Sequence, residues 1–118
     1  DGRAARPFGV RRVEKPEGRG LGGNKPKRRR VVNSETAWLV QSTMRSAVRE
    51  GTATVARIEG LDVAAKTGTS SDLRDAWFAG HAGSVVTVVW VGLDDGEPLG
   101  LTGAAAAGPI WKVFMANA

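Results

Sequence analysis

Lys66-Thr67-Gly68-Thr69-Ser70 places a cation, three hydroxyls and a residue without a side chain in five successive positions. Acyl transfer requires a nucleophile, a base, oxyanion donors and a group that holds the carboxylate of the acyl donor. An extended strand can supply the last two, because its outward amides and alternate side chains line a cleft edge. Gly68 lets a ligand approach the backbone closely. The nucleophile and its base are missing. No Ser is followed three residues later by Lys, and no Ser-x-Asn occurs. Ser42-Thr43-Met44-Arg45 comes nearest, but a guanidinium does not act as a base. Ser70-Ser71-Asp72 follows the Lys-Thr-Gly strand too closely to face it across a cleft. The absence of cysteine excludes a Cys nucleophile, a disulfide and a thiolate metal site, and with His81 the sole histidine neither a His-based metal site nor a Ser-His-Asp triad is expected from this chain alone. The residues suit half of an acyl-transfer site, while taken alone they equally describe an edge strand with an ordinary solvated Lys.

Strands and helices must hold that half in place. Asn33-Ser34 reads as a helix N-cap, Glu35 suits the positive end of the helix, and Gly51 is a natural stop. Between them Ala37, Val40, Met44, Ala47 and Val48 share one face, predicting an amphipathic helix over 35–50. Three strands follow, at 63–69, 75–80 and 85–93, with short links that favour an antiparallel meander. His81 falls in the link between the last two and reads as polar surface. Alternation sends Trp77 and Phe78 to opposite faces, where core packing is their expected use. The run Val85-Val86-Thr87-Val88-Val89-Trp90-Val91 does not alternate, so both its faces should be covered and further strands should lie beside it. The chain has no good candidate for those strands. A helix over 103–115 closes the chain, interrupted or restarted at Gly108-Pro109, with Ile110, Trp111, Val113 and Phe114 as its apolar anchor.

Length and charge bound the rest. At 118 residues there is room for one modest domain. The chain opens on Asp1 and not on Met, which suggests a segment of a longer protein. No apolar run is long enough to cross a membrane. The net charge of +5 is unevenly spread: residues 1–30 hold 11 Lys or Arg against 3 Asp or Glu, and residues 31–118 hold 6 against 9. Within the basic quarter we expect a strand near 8–14, a turn at Lys15-Pro16-Glu17-Gly18, a flexible stretch through 20–24 and a short strand at 30–32. Lys25-Pro26-Lys27-Arg28-Arg29-Arg30 supports an alternative function, a polyanion-binding module for nucleic acid or an anionic envelope polymer. No aromatic residue is interleaved with that run and no groove-reading motif surrounds it, so a solvated basic loop is the simpler reading and no nucleic-acid partner is expected.

Over residues 34–115 the chain resembles the C-terminal part of the transpeptidase domain of class A, bifunctional penicillin-binding proteins. The resemblance rests on Gly51-Thr52-Ala53, Lys66-Thr67-Gly68-Thr69-Ser70, Asp75-Ala76-Trp77-Phe78-Ala79-Gly80, Trp90-Val91-Gly92-Leu93-Asp94 and Ala107-Gly108-Pro109-Ile110-Trp111, in that order. Ala65 stands where the family usually has Gly. A class A β-lactamase also carries Lys-Thr-Gly, but the Trp-Phe strand and the valine-rich strand fit the transpeptidase better. The resemblance implies an α+β fold, an antiparallel sheet with flanking helices, incomplete in this chain. Residues 1–33 would be a basic variable hairpin and 34–118 the C-terminal half of the domain. It implies a serine D-Ala-D-Ala transpeptidase that cross-links peptidoglycan and is acylated by β-lactams, without cofactor or metal. By resemblance Lys66 joins a proton relay, Thr67 and Thr69 bind a carboxylate, the Thr69 amide is an oxyanion donor, and Gly68 and Ser70 complete the substrate wall. The implied partners are an N-terminal half bearing Ser-x-x-Lys and Ser-x-Asn, a peptidoglycan stem peptide and β-lactams. The implied location is the extracytoplasmic side of the inner membrane, reached through the parent protein.

Overall fold

The structure, a computed structural model, describes residues 2–118, which divide into two compact units, the first ending at Leu39 and the second spanning Val40–Ala118. In the first unit, strand β1 (Arg3–Arg6) pairs antiparallel with β4 (Lys27–Arg30), and β2 (Arg12–Glu14) pairs with β3 (Gly20–Gly23). The basic quarter is therefore a ladder in two tiers, where a loose hairpin with a flexible stretch at 20–24 was expected. Gly20–Gly23 is a strand because its amides find the Arg12–Glu14 backbone, a pairing that glycine composition does not announce. Residues 8–10 lie outside any strand, and 30–32 contributes only Arg30 to β4.

Helix α1 (Ser34–Glu50) straddles the division between the units. Its start is set by Asn33, whose Oδ1 accepts from the Thr36 amide at 2.8 Å. Its end is closed from outside: the Arg57 guanidinium donates to the Val48 carbonyl at 3.0 Å and also to the Arg49 carbonyl, satisfying acceptors that have no partner within the helix. Of the expected apolar face only Val48 is buried, and Val40 is exposed.

The second unit is built on a three-stranded antiparallel sheet in the order β5 (Val63–Thr69), β6 (Ala76–Ala82), β7 (Val85–Val91). Register pairs Thr67 with Phe78 and Phe78 with Val89, which puts Val63, Ala65, Thr67, Thr69, Ala76, Phe78, Gly80, Ala82 and the odd-numbered β7 residues on one face. Helix α2 (Gly103–Ala116) packs on that face through Gly103, Ala107, Trp111 and Met115, a stripe repeating every four residues. Trp111 and Phe78 are fully buried, their ring centroids 5.4 Å apart at 47°, and the Trp111 indole donates to the Thr87 carbonyl at 3.0 Å. Each such ring contributes about 1.5–3 kcal/mol by leaving water.

Several expectations need correction here. Alpha-2 runs unbroken through Pro109. The amide lost at Pro109 would have donated to Ala105, which is exposed so that water can replace it, and Gly108 has no Cβ to meet the proline ring. Of the expected anchor only Trp111 is buried, while Ile110, Val113 and Phe114 lie on the opposite, exposed side. His81 belongs to β6, half-buried, its Nε2 3.2 Å from Gln41 Nε2. Strand β7 alternates between half-buried and exposed, so among the described residues only one of its faces is covered. Phe78 takes the expected core role, but Trp77 does not: it pairs with Trp90 on the open face, centroids 6.2 Å apart.

Candidate active site

Strand β5 is an edge strand, its other side unpaired among the described residues. The Ser70 amide donates to the Asp75 carbonyl at 3.0 Å, and Asp75 is the next register partner beyond the Thr69–Ala76 pair. Antiparallel alternation then turns the amides and carbonyls of Lys66 and Gly68 toward β6, and those of Thr67 and Thr69 toward the open side. The wall thus offers the backbone N–H of Thr69 to an outside acceptor, as an oxyanion donor must be offered.

The side chains divide differently. Lys66 is exposed on the face it shares with Gly68 and Trp77, opposite to the face of Thr67 and Thr69. Its Nζ curls to the strand edge and donates to the Thr67 carbonyl at 2.6 Å, so the cation stands at the open side despite the alternation. Thr67 Oγ1 lies 3.0 Å from Thr52 Oγ1. Thr69 Oγ1 accepts from the Gly103 amide at 3.1 Å, at the N-terminus of α2, where Thr102 is the N-cap and its Oγ1 accepts from Ala105. Since a backbone amide can only donate, the Thr69 hydroxyl keeps its own proton for another acceptor. Ser70 is used internally: its Oγ accepts from the Asp75 amide at 2.8 Å and closes the β5–β6 link.

Both glycines near the wall have packing reasons of their own. A Cβ on Gly68 would stand 3.0 Å from the Trp77 Cβ, so the open side chain position is filled by that indole. A Cβ on Gly103 would collide with the Gly68 backbone and the Trp77 carbonyl. The helix can therefore bring its first amide to Thr69 only with glycine at 103. Neither Gly103 nor Thr52 was singled out for a site role from sequence. Thr52 was visible as the middle of Gly51-Thr52-Ala53, and its task is set by the chain reversal after α1: Ala53 is fully buried and its amide returns to the Ala47 carbonyl, leaving Thr52 beside β5. Among the described residues no group of His, Asp and Glu is placed to hold a metal ion.

The chain matches the penicillin binding protein transpeptidase domain over residues 1–116. It belongs to that family. Within it, the chain corresponds to the C-terminal part of the domain. It is 36% identical over 116 residues to penicillin-binding protein 1B of Vibrio cholerae and 36% identical over 116 residues to penicillin-binding protein 1A of Aquifex aeolicus, covering 97% of this chain in both cases. It spans only 15% and 16% of those two proteins. Among solved structures it is similar to the D,D-transpeptidase domain of a peptidoglycan glycosyltransferase from Eggerthella lenta, with 30% identity, TM-score 0.73, and coverage of 99% of this chain and 29% of that one. Penicillin-binding protein A of M. tuberculosis, solved as an imipenem acyl-enzyme, gives 27% identity, TM-score 0.74 and coverage of 98% and 27%. Penicillin-binding protein 1A of Haemophilus influenzae, at 22% identity, shares the fold with TM-score 0.81 over 98% of this chain and 24% of that one. The α+β class and the expected resemblance both stand.

Proposed function

We propose that residues 63–70 form the carboxylate-binding and oxyanion wall of a serine D-Ala-D-Ala transpeptidase. The observation that carries this reading is the Thr69 pair of donors: an amide on the open strand edge, and a hydroxyl whose lone pair is taken by Gly103 N. In the reaction, a serine hydroxyl adds to the carbonyl of the penultimate D-Ala, and the charge that develops on oxygen meets the Thr69 amide. Collapse breaks the C–N bond, releases D-Ala with a proton on its amine, and leaves an ester. An amine of a second stem peptide then displaces the serine. The Thr67 and Thr69 hydroxyls hold the terminal carboxylate, of a stem peptide or of a β-lactam, and Lys66 makes the wall positive and joins the proton relay. Gly68 and Ser70 complete the wall structurally: Gly68 makes room for the Trp77 indole behind the strand, and Ser70 ties the end of β5 to Asp75.

The serine, its Ser-x-x-Lys lysine and the Ser-x-Asn turn come from a further segment of the domain, absent from residues 1–118. The enzyme works on the extracytoplasmic side of the inner membrane. The test is labelling by a fluorescent penicillin. The full-length protein is expected to label stoichiometrically, Lys66→Ala to label at least a hundredfold more slowly, and residues 1–118 alone to stay unlabelled. Rapid labelling of the Lys66→Ala protein would sink the role of the wall.

A second reading, a basic polyanion-binding module, draws on one observation. Arg6 stands directly opposite Lys27 in the β1–β4 ladder, a repulsive pairing, and both line a groove of about 530 Å³ with Arg28 and Arg29. Oligonucleotide binding at two salt concentrations, set beside penicillin labelling of the same protein, separates the two readings.

A further inference from the structure

The contact between Thr52 Oγ1 and Thr67 Oγ1 differs in kind from the one at Thr69. At Thr69 the partner is a backbone amide, which fixes the direction of the bond. Between two hydroxyls, separated by 3.0 Å, either oxygen can donate. If Thr67 donates to Thr52, its only proton is spent, and it presents lone pairs alone to a ligand. A carboxylate has nothing but acceptors and gains nothing from them. If Thr52 donates to Thr67, the Thr67 proton is free to point at the ligand, and the two bonds run head to tail so that each polarises the next. A carboxylate therefore selects the second arrangement.

We propose that Thr52 is a positioning residue for the transpeptidase: it donates to Thr67 Oγ1 and so makes Thr67 a hydrogen-bond donor to the substrate carboxylate. The inference rests on the carboxylate-binding role proposed for the wall. Local structure makes Thr52 fit for the task. It sits between the C-terminus of α1, capped by Arg57, and a 3₁₀ turn at Thr54–Ala56, and the segment that follows it is anchored by the fully buried Ala53 and Ala56. The segment is pinned, while Thr52 itself remains exposed at the strand. Valine at 52 would keep the shape and lose only the hydroxyl. Serine would keep the hydroxyl.

The experiment uses the full-length protein and a pair of β-lactams, one with a free carboxylate and the other its methyl ester. The second-order acylation rate is measured for wild type, Thr52→Val, Thr52→Ser, Thr67→Val and the Thr52→Val/Thr67→Val double variant. Thr52→Val is expected to slow the acid about tenfold, the cost of one hydrogen bond to a charged group, and to leave the ester within about twofold. Thr52→Ser should restore most of the loss. The double variant should be no slower than Thr67→Val, since both changes break one chain of bonds. Equal losses on acid and ester would reduce Thr52 to a structural residue, and additive losses would break the proposed chain. Either result overturns the proposal. If Thr67→Val leaves the acid-to-ester ratio unchanged, the carboxylate role of the wall itself fails, and that outcome is separate from failure at Thr52 alone.

Discussion

In the proposed wall Thr69 serves two demands, and the demands are separable by mutation. The amide belongs to the strand and survives any side chain, whereas the hydroxyl links β5 to the first amide of α2. Replacing Thr69 with Val keeps the β-branched shape that a strand favours and deletes the hydroxyl. Two losses follow. The Gly103 amide loses its acceptor, which costs about 1 kcal/mol of stability, and the carboxylate held by the proposed wall loses a donor. Acylation of the full-length protein by a carboxylate-bearing penicillin should fall at least tenfold in Thr69→Val. Thr69→Ser should stay near wild type in both rate and melting temperature. A Thr69→Val protein that acylates normally would show that the hydroxyl serves only the helix. Sequence alone could point to these residues, because a cation and hydroxyls around a glycine on a strand are legible as chemistry. It could not reveal the partners. Thr52 lies 15 residues and Gly103 lies 34 residues from the hydroxyls they touch, and no periodicity reports such a meeting.

The elements around the wall are held by close packing and by one exposed ion pair, and each has its own test. Gly80, at the middle of β6, admits the Trp111 indole: a Cβ there would stand 2.7 Å from the Ala65 Cβ and 2.9 Å from Trp111 Cζ2. Gly80→Ala should lower stability by about 1–3 kcal/mol, read from denaturant midpoints, because neither neighbour can give way inside a full core. The second device joins α1 to the start of β5. Arg45 Nε and Nη2 donate to both Asp62 oxygens at 2.7–2.9 Å. Those bonds, with the nearby Arg49 and His81 charges, hold the Asp62 carboxyl below its ordinary range, and the Arg45 guanidinium is raised in turn. Because the folded-state value is lowered, the pair stabilises the fold above the ordinary carboxylate range, and that contribution disappears as pH falls through the lowered value. The difference in α1 amide-exchange protection between wild type and Asp62→Asn should therefore be constant near neutrality and close below about pH 4. A difference that persists at pH 2 would assign the effect to packing. Element existence was readable where periodicity and caps agreed, as in α1 with Asn33 and in the order of β5, β6 and β7. It was not readable where backbone pairing decides, as at Gly20–Gly23. In α2 the apolar residues at 110, 113 and 114 look like an anchor by type, yet the buried stripe at 103, 107, 111 and 115 includes two small residues that hydrophobicity underrates.

Across the second unit, one side of the sheet is finished and the other is not. The α2 side is closed over Phe78 and Trp111, while Val86, Val88, Trp77 and Trp90 stand 76%, 58%, 45% and 45% exposed on the other. Among the described residues no strand pairs with the outer edge of β7, along a run without a single charge. An edge and a face of this kind recruit other chains when nothing covers them. The chain spans 24–29% of the solved family chains it resembles, and we propose that a segment from the rest of the domain covers this face and edge. This reading makes a prediction whose sign depends on context. In residues 1–118 alone, Val86→Lys with Val88→Lys replaces two exposed apolar side chains by charges, and should convert a self-associating species into a monomer by sedimentation. In the full-length protein the same pair would bury two ammonium groups under the covering segment, at a cost of several kcal/mol, and should abolish soluble expression and penicillin labelling together. If the double variant leaves the full-length protein folded and labelled, that face is open to solvent in the complete domain, and the covering segment lies elsewhere.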